Sequence, residues 1–285
     1  MIRLSTFENR KFETIKNISQ DCFDALISDS ELLKNVHTQF VIFKYLQLNI
    51  TEYSNHLRKI SNLPNGTVDI KKITSPELLL ETNKIILNLL SSFKFFLDNG
   101  ESFLKRKYGK DSIIVKEFIQ LTRKIHGESF AYRFLSKLRN YSIHLGFPFQ
   151  GLEFKTEKNK DNPEKAIGSL QLLIDIDLIK KEKDLFGSVH KEFSDLNEDI
   201  DIKPLIRDLS ISILNIQEYI YNVQKEEIEN SIENIETFTG DFKTNDNEIK
   251  VFNNLTRDGE MIRFNAYHVP FEIISDFKIY KNNRC

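Results

Sequence analysis

The chain has no tryptophan and, in 285 residues, only two cysteines, two methionines, ten glycines and six prolines. That scarcity of glycine and proline excludes collagen-like, Gly/Ser-linker and proline-rich disordered classes. Cys22 and Cys285 stand at opposite ends of the sequence without a partner spacing, which supports neither a disulfide framework nor a cysteine metal site. No apolar run of about 18 residues is free of charge, and the opening MIRLSTFENRK lacks the apolar core of a signal peptide. The expected setting is therefore cytoplasmic, with no membrane partner.

Apolar residues make up 40% of the chain, and its 23 phenylalanines are enough to build a substantial core. The mixture favours a helix-rich globular protein, and the length allows one large domain or two small ones. The formal net charge of -2 hides an uneven distribution. From Glu101 to His144 there are ten Lys/Arg and four acids, a net +6, so the remainder carries -8. A phosphate-bearing partner would prefer the middle segment, and a pair of solvated helix faces would look the same on charge alone.

Apolar positions at helical spacing predict a helix from Thr6 to about Ile27 and a second one beginning after Ser30 as N-cap. The second ends at the turn signal Leu63-Pro64-Asn65-Gly66. His37 and His56 fall on it without ligand-like companions, as surface or interface histidines. Ser75-Pro76-Glu77 opens a long helix that closes in the basic run Lys105 to Lys110, with Gly100 tolerated or marking a bend. Asp111 is the expected cap of the next helix, which ends at His126-Gly127, and a further helix follows from Glu128. After Pro148 the period drops to 2, predicting a β-hairpin at about 147–179 in which Asp175 and Asp177 share a solvated strand face. A last long helix runs from near Asp201 through Val223 and towards Ile235, and alternation around Arg257-Asp258-Gly259 predicts a β-rich cap. The expected fold is mainly α (α+β): an antiparallel helical bundle over 1–240 carrying the hairpin, with a small β-rich extension at 241–285.

The stretch LRNYSIHLGFPF, Leu138 to Phe149, carries the chemistry. At about 100° per residue, Phe130, Phe134, Leu138, Tyr141 and Leu145 form one core stripe. Arg139 and Asn140 then point away from it and His144 sits on its flank. Histidine as a residue class can exchange a proton with a hydroxyl near neutral pH, and an arginine can brace charge developing on a phosphate. RNA supplies its own nucleophile in the 2′-hydroxyl, so cleavage needs neither a metal nor a protein nucleophile. The chain offers no evident constellation for either.

With Arg139, Asn140 and His144 near the end of a bundle helix, LRNYSIH resembles the motif of the HEPN superfamily. The resemblance covers the motif, the long helix from Ser75 to about Gly109, and loosely the helices on either side; the hairpin and the C-terminal cap fall outside it. It implies a metal-independent endoribonuclease with no cofactor, of the kind found in toxin-antitoxin, abortive-infection and antiviral defence systems. It also implies a homodimer in which two motifs line one RNA cleft, and a possible antitoxin or defence partner protein. Arg139 would bind phosphate and stabilise the transition state, Asn140 would orient the site, and His144 would be the general acid or base. Lys105, Arg106, Lys107, Arg133 and Lys137 are candidates for holding the RNA backbone, each equally consistent with a structural cation. Other members of the superfamily are non-catalytic dimerisation or RNA/protein-binding modules, and that alternative stays open.

Overall fold

The computed structural model describes residues 2–8, 11–61, 72–73, 76–149, 151–158, 166–244, 247–259 and 261–282. In chain order these form β1 (Ile2–Glu8), β2 (Lys11–Ile18), α1 (Gln20–Ser61), β3 (Lys72–Ile73), α2 (Pro76–Tyr108), α3 (Ile113–Glu128) and α4 (Phe130–His144). There follow β4 (Leu152–Lys158), β5 (Ala166–Gln171), β6 (Leu173–Ile174), α5 (Ile176–Lys180), α6 (Lys183–Phe186) and α7 (His190–Phe193). The chain finishes with β7 (Ile200–Asp201), α8 (Ile202–Asn222), α9 (Lys225–Thr239), β8 (Glu248–Asp258), β9 (Met261–His268) and α10 (Phe271–Asn282). The fold is mainly helical α+β, with small antiparallel sheets. Among the described residues no helix is long and apolar enough to cross a membrane.

The chain forms two compact units, one of Met1–Phe40 with Tyr221–Cys285 and the other Val41–Ile220. The units meet along the chain at 40/41 and 220/221. In the first unit the sheet order is β2-β1-β8-β9, so the N-terminal hairpin and the C-terminal hairpin are one structure. Leu4 of β1 opposes Val251 of β8, and both are fully buried. This corrects the helix expected from Thr6 to Ile27. Residues 2–8 and 11–18 are strands because pairing with β8, far away in sequence, outweighs a weak local period.

The helix start expected after Ser30 is a second correction. With no glycine or proline from Gln20 to Ser61, nothing stops α1, which begins after Ser19, whose Oγ accepts from the Cys22 amide at 3.2 Å. Ser30 is buried within it. The C-terminal extension is also less β-rich than expected, since α10 follows Pro270.

In the second unit α2 is the axis. Phe43 meets Phe96 (ring centroids 5.9 Å), Tyr45 meets Phe95 (6.4 Å) and His56 Nε2 meets Thr82 Oγ1 (2.8 Å), so α1 runs antiparallel to α2. A Cβ on Gly100 would lie 3.0 Å from Ile220 and 3.7 Å from Phe118, so this glycine marks a close approach of α8 and α3 to α2. Further down, Tyr132 of α4 packs edge-on against Phe93 at 5.1 Å. Beyond α4, the Phe149 backbone reaches Asn83. Thus α3 and α4 are successive segments descending α2 from its C-terminal towards its N-terminal part.

The expected hairpin is present in part. Antiparallel β4 and β5 are joined by β3 in the order β3-β4-β5, but the alternating run leaves this sheet after Gln171, its residues 173–174 pairing with β7 instead before α5 begins at Ile176. Asp175 Oδ1 instead accepts from the Leu178 amide at 3.0 Å and caps α5, so Asp175 and Asp177 do not share a strand face. Residues 159–165 of the expected loop lie outside the described residues. The acidic tract expected as a continuation of the last long helix forms α9, after a turn at 223–224.

Candidate active site

Ser129 sets the position of the motif helix. Its extended backbone (φ -102°, ψ 108°) separates α3 from α4, its amide donates to the Ile125 carbonyl at 2.9 Å, and its Oγ accepts from the Tyr132 amide at 3.1 Å. One serine therefore closes one helix and opens the next. At the start of α3 the cap is Ser112, whose Oγ accepts from Val115 at 3.3 Å, one residue later than the expected Asp111.

The buried face of α4 comprises Ala131, Tyr132, Phe134, Leu135, Leu138 and Tyr141. Phe134 meets Phe186 at 5.9 Å and Phe193 at 5.7 Å, so the short α6 and α7 cover the helix on one flank. Leu145, expected in the core stripe, is 51% exposed. It is the C-cap of α4, where the chain leaves the helical path that a wheel assumes.

The motif residues share the C-terminal part of α4. Arg139 and Asn140 are half-buried and His144 is exposed. Arg139 Nη1 donates to Asn140 Oδ1 at 3.2 Å. Arg139 Nε is buried and has no hydrogen-bond partner. A buried donor left unpaired is costly, so Asn140 holds the guanidinium by one corner while its Nε stays unsatisfied and closed to solvent.

Past His144, Gly146 adopts φ +114°, a conformation that disfavours any side chain. Pro148 and Phe149 turn inward and are buried. The Phe149 amide donates to Asn83 Oδ1 at 3.3 Å, and Asn83 Nδ2 donates to the Phe149 carbonyl at 3.0 Å and to the Leu79 carbonyl at 2.9 Å. This buried asparagine fixes the segment leaving the motif, a role that no local pattern around position 83 signals.

The cations expected to hold RNA are dispersed. Arg133 is clamped: its Nε and Nη2 donate to the two Glu192 oxygens at 2.9 and 2.7 Å, and its Nη1 donates to the Gly127 and His126 carbonyls. The same bond holds the Glu192 carboxyl below its usual range. Lys105 pairs with Glu101, the Lys107 ammonium lies 5.5 Å from the Tyr108 ring centre, and Arg106 is exposed. With Tyr132 level with Phe93 and Phe149 level with Asn83, Lys105, Arg106 and Lys107 sit about 25–35 Å along α2 from the motif, at 1.5 Å per residue. Only Lys137, half-buried with its Nζ beside Gly187, shares α4 with the motif without a clamp.

Tyr53 and His56, both buried on α1, also lie towards the motif end of α2. Tyr53 Oη and His56 Nδ1 have no hydrogen-bond partner. Among the described residues no group of three or more His, Cys, Asp or Glu side chains could hold a metal ion. Comparison of the chain with models of protein families, with curated proteins and with solved structures found no match.

Proposed function

We propose that the chain is a HEPN-like endoribonuclease that cleaves RNA by 2′-hydroxyl attack without a metal or cofactor. The observation that carries this reading is the half-buried Arg139, whose Nη1 is hydrogen-bonded to Asn140 Oδ1, on the helix end that presents exposed His144. In the reaction the 2′-oxygen attacks phosphorus and the bond to the 5′-oxygen breaks. His144 accepts the 2′-hydroxyl proton or delivers one to the leaving 5′-oxygen. Arg139 neutralises charge gathering on the phosphate oxygens, and Asn140 holds Arg139 in place. The products are a 2′,3′-cyclic phosphate and a 5′-hydroxyl. One motif histidine per chain leaves the opposite proton transfer to a second copy, so the proposed enzyme is a homodimer, with a toxin or antiviral defence role and an antitoxin or defence protein as partner.

Exposed Ile143, Leu145 and Phe147 around the motif favour a second reading, in which the helix end is a non-catalytic dimerisation or RNA/protein-binding surface. Incubation of the purified chain with single-stranded RNA in EDTA separates the two. Cleavage leaving cyclic phosphate ends is expected, falling at least about 100-fold in Arg139→Ala and His144→Ala. Undiminished cleavage by His144→Ala would overturn the nuclease assignment.

A further inference from the structure

Phe147 follows His144 by three residues and is 45% exposed, whereas Pro148 and Phe149 behind it are buried. An exposed phenylalanine on a loose loop would mean little. This one is held from both sides. Gly146 turns the chain through a φ of +114°, the proline ring restricts the backbone on the other side, and Asn83 grips both polar groups of the Phe149 backbone. Ile143 and Leu145, 47% and 51% exposed, flank the exposed histidine with further apolar surface. Three residues of chain span at most about 10 Å, so the ring stays within reach of whatever His144 touches.

We infer that Phe147 is a stacking platform for an unpaired nucleobase next to the phosphodiester engaged by Arg139 and His144. The inference rests on the nuclease reading and deepens it by selecting single-stranded RNA as the substrate class. A base in a duplex has both faces covered by its neighbours, whereas an unstacked base offers a π-face that a phenyl ring can cover whatever the sequence. The backbone on both sides of Phe147 is already fixed, so less ordering entropy is lost on stacking. His144, three residues before it, and Arg139 on the same helix end supply the polar half of a nucleotide site.

The test uses the full chain and a single-stranded 2′-O-methyl oligonucleotide with 2-aminopurine at one position. It has no free 2′-hydroxyl and cannot be cut, and its fluorescence falls when the base stacks on an aromatic ring. Wild type is expected to quench it. Phe147→Ala should lose the quench and weaken binding about tenfold, the effect of removing one stacked base. Phe147→Tyr should retain both properties, and Phe147→Leu, which keeps apolar bulk, should lose the quench.

Equal quench and affinity in Phe147→Ala overturns the inference, as does weakened self-association in that variant with the quench intact. The two proposals fail separately. A chain that quenches the probe but cannot cut all-ribose RNA overturns the nuclease reading alone. A wild type that cuts RNA without quenching overturns the stacking inference alone, and one that does neither overturns both.

Discussion

Asn83 shows how much a single residue can decide. Its amide group satisfies the Phe149 amide and carbonyl where no strand or water could reach, doing for one residue what a sheet ladder does for many. Asn83→Ala would leave both groups buried and unpaired, and the expected loss is about 2 kcal/mol of stability, read from the shift in urea midpoint at constant slope. Asn83→Asp should be worse, because it removes the donor and sets a carboxylate against the carbonyls of Leu79 and Phe149. A midpoint unchanged in both variants would show that the latch contributes nothing. Arg139, Asn140 and His144 were legible in the sequence because they lie on one helix. The 66 positions between Asn83 and Phe149 hid their partnership from any local pattern.

Between elements, the α1–α2 contact carries the clearest pH dependence. The Thr82 hydroxyl donates to the Leu78 carbonyl, so it receives the proton on His56 Nε2, which leaves Nδ1 bare and buried, 3.9 Å from a Glu81 oxygen. Burial lowers the affinity of His56 for a second proton, and the nearby Glu81 only partly offsets this. The unfolded chain then binds a proton below pH 6.5 that the folded chain refuses, so stability falls as pH drops through that range towards the lower folded value. The urea midpoint should be lower at about pH 5.5 than at about pH 7.5, and His56→Gln should flatten that difference. A slope equally steep in His56→Gln would place the titration elsewhere. Helix spacing and Pro76-Glu77 located α2 well, since propensity acts within a few residues, while the expected cap Ser75 lies outside the described residues. The same logic misplaced the start of α1, because Ser30 resembles a cap only if the chain turns there.

For the molecule as a whole, the decisive event is the meeting of the two ends of the chain. β1 lies between β2 and β8, so the C-terminal hairpin has no complete sheet without the first residues of the chain. Leu4→Asp would put a carboxylate at a fully buried position of that sheet and should cost about 3 kcal/mol or more. Amide hydrogen exchange should show the loss concentrated in 248–268 along with 2–18. Unchanged protection of 248–268 in that variant would mean the C-terminal hairpin stands alone.

By itself the sequence determined that α2 is a long helix closed at Gly109, that two further helices follow it, and that Arg139, Asn140 and His144 gather at one helix end. Each of these depends on interactions within about one helical turn. The tertiary structure alone decided that residues 2–8 and 11–18 are strands, that Arg133 is consumed by Glu192, that Lys105 to Lys107 stand far from the motif, and that Phe147 is exposed three residues past His144. Those outcomes depend on partners tens to hundreds of residues away, whose competition with local preference is settled only when the chain is packed.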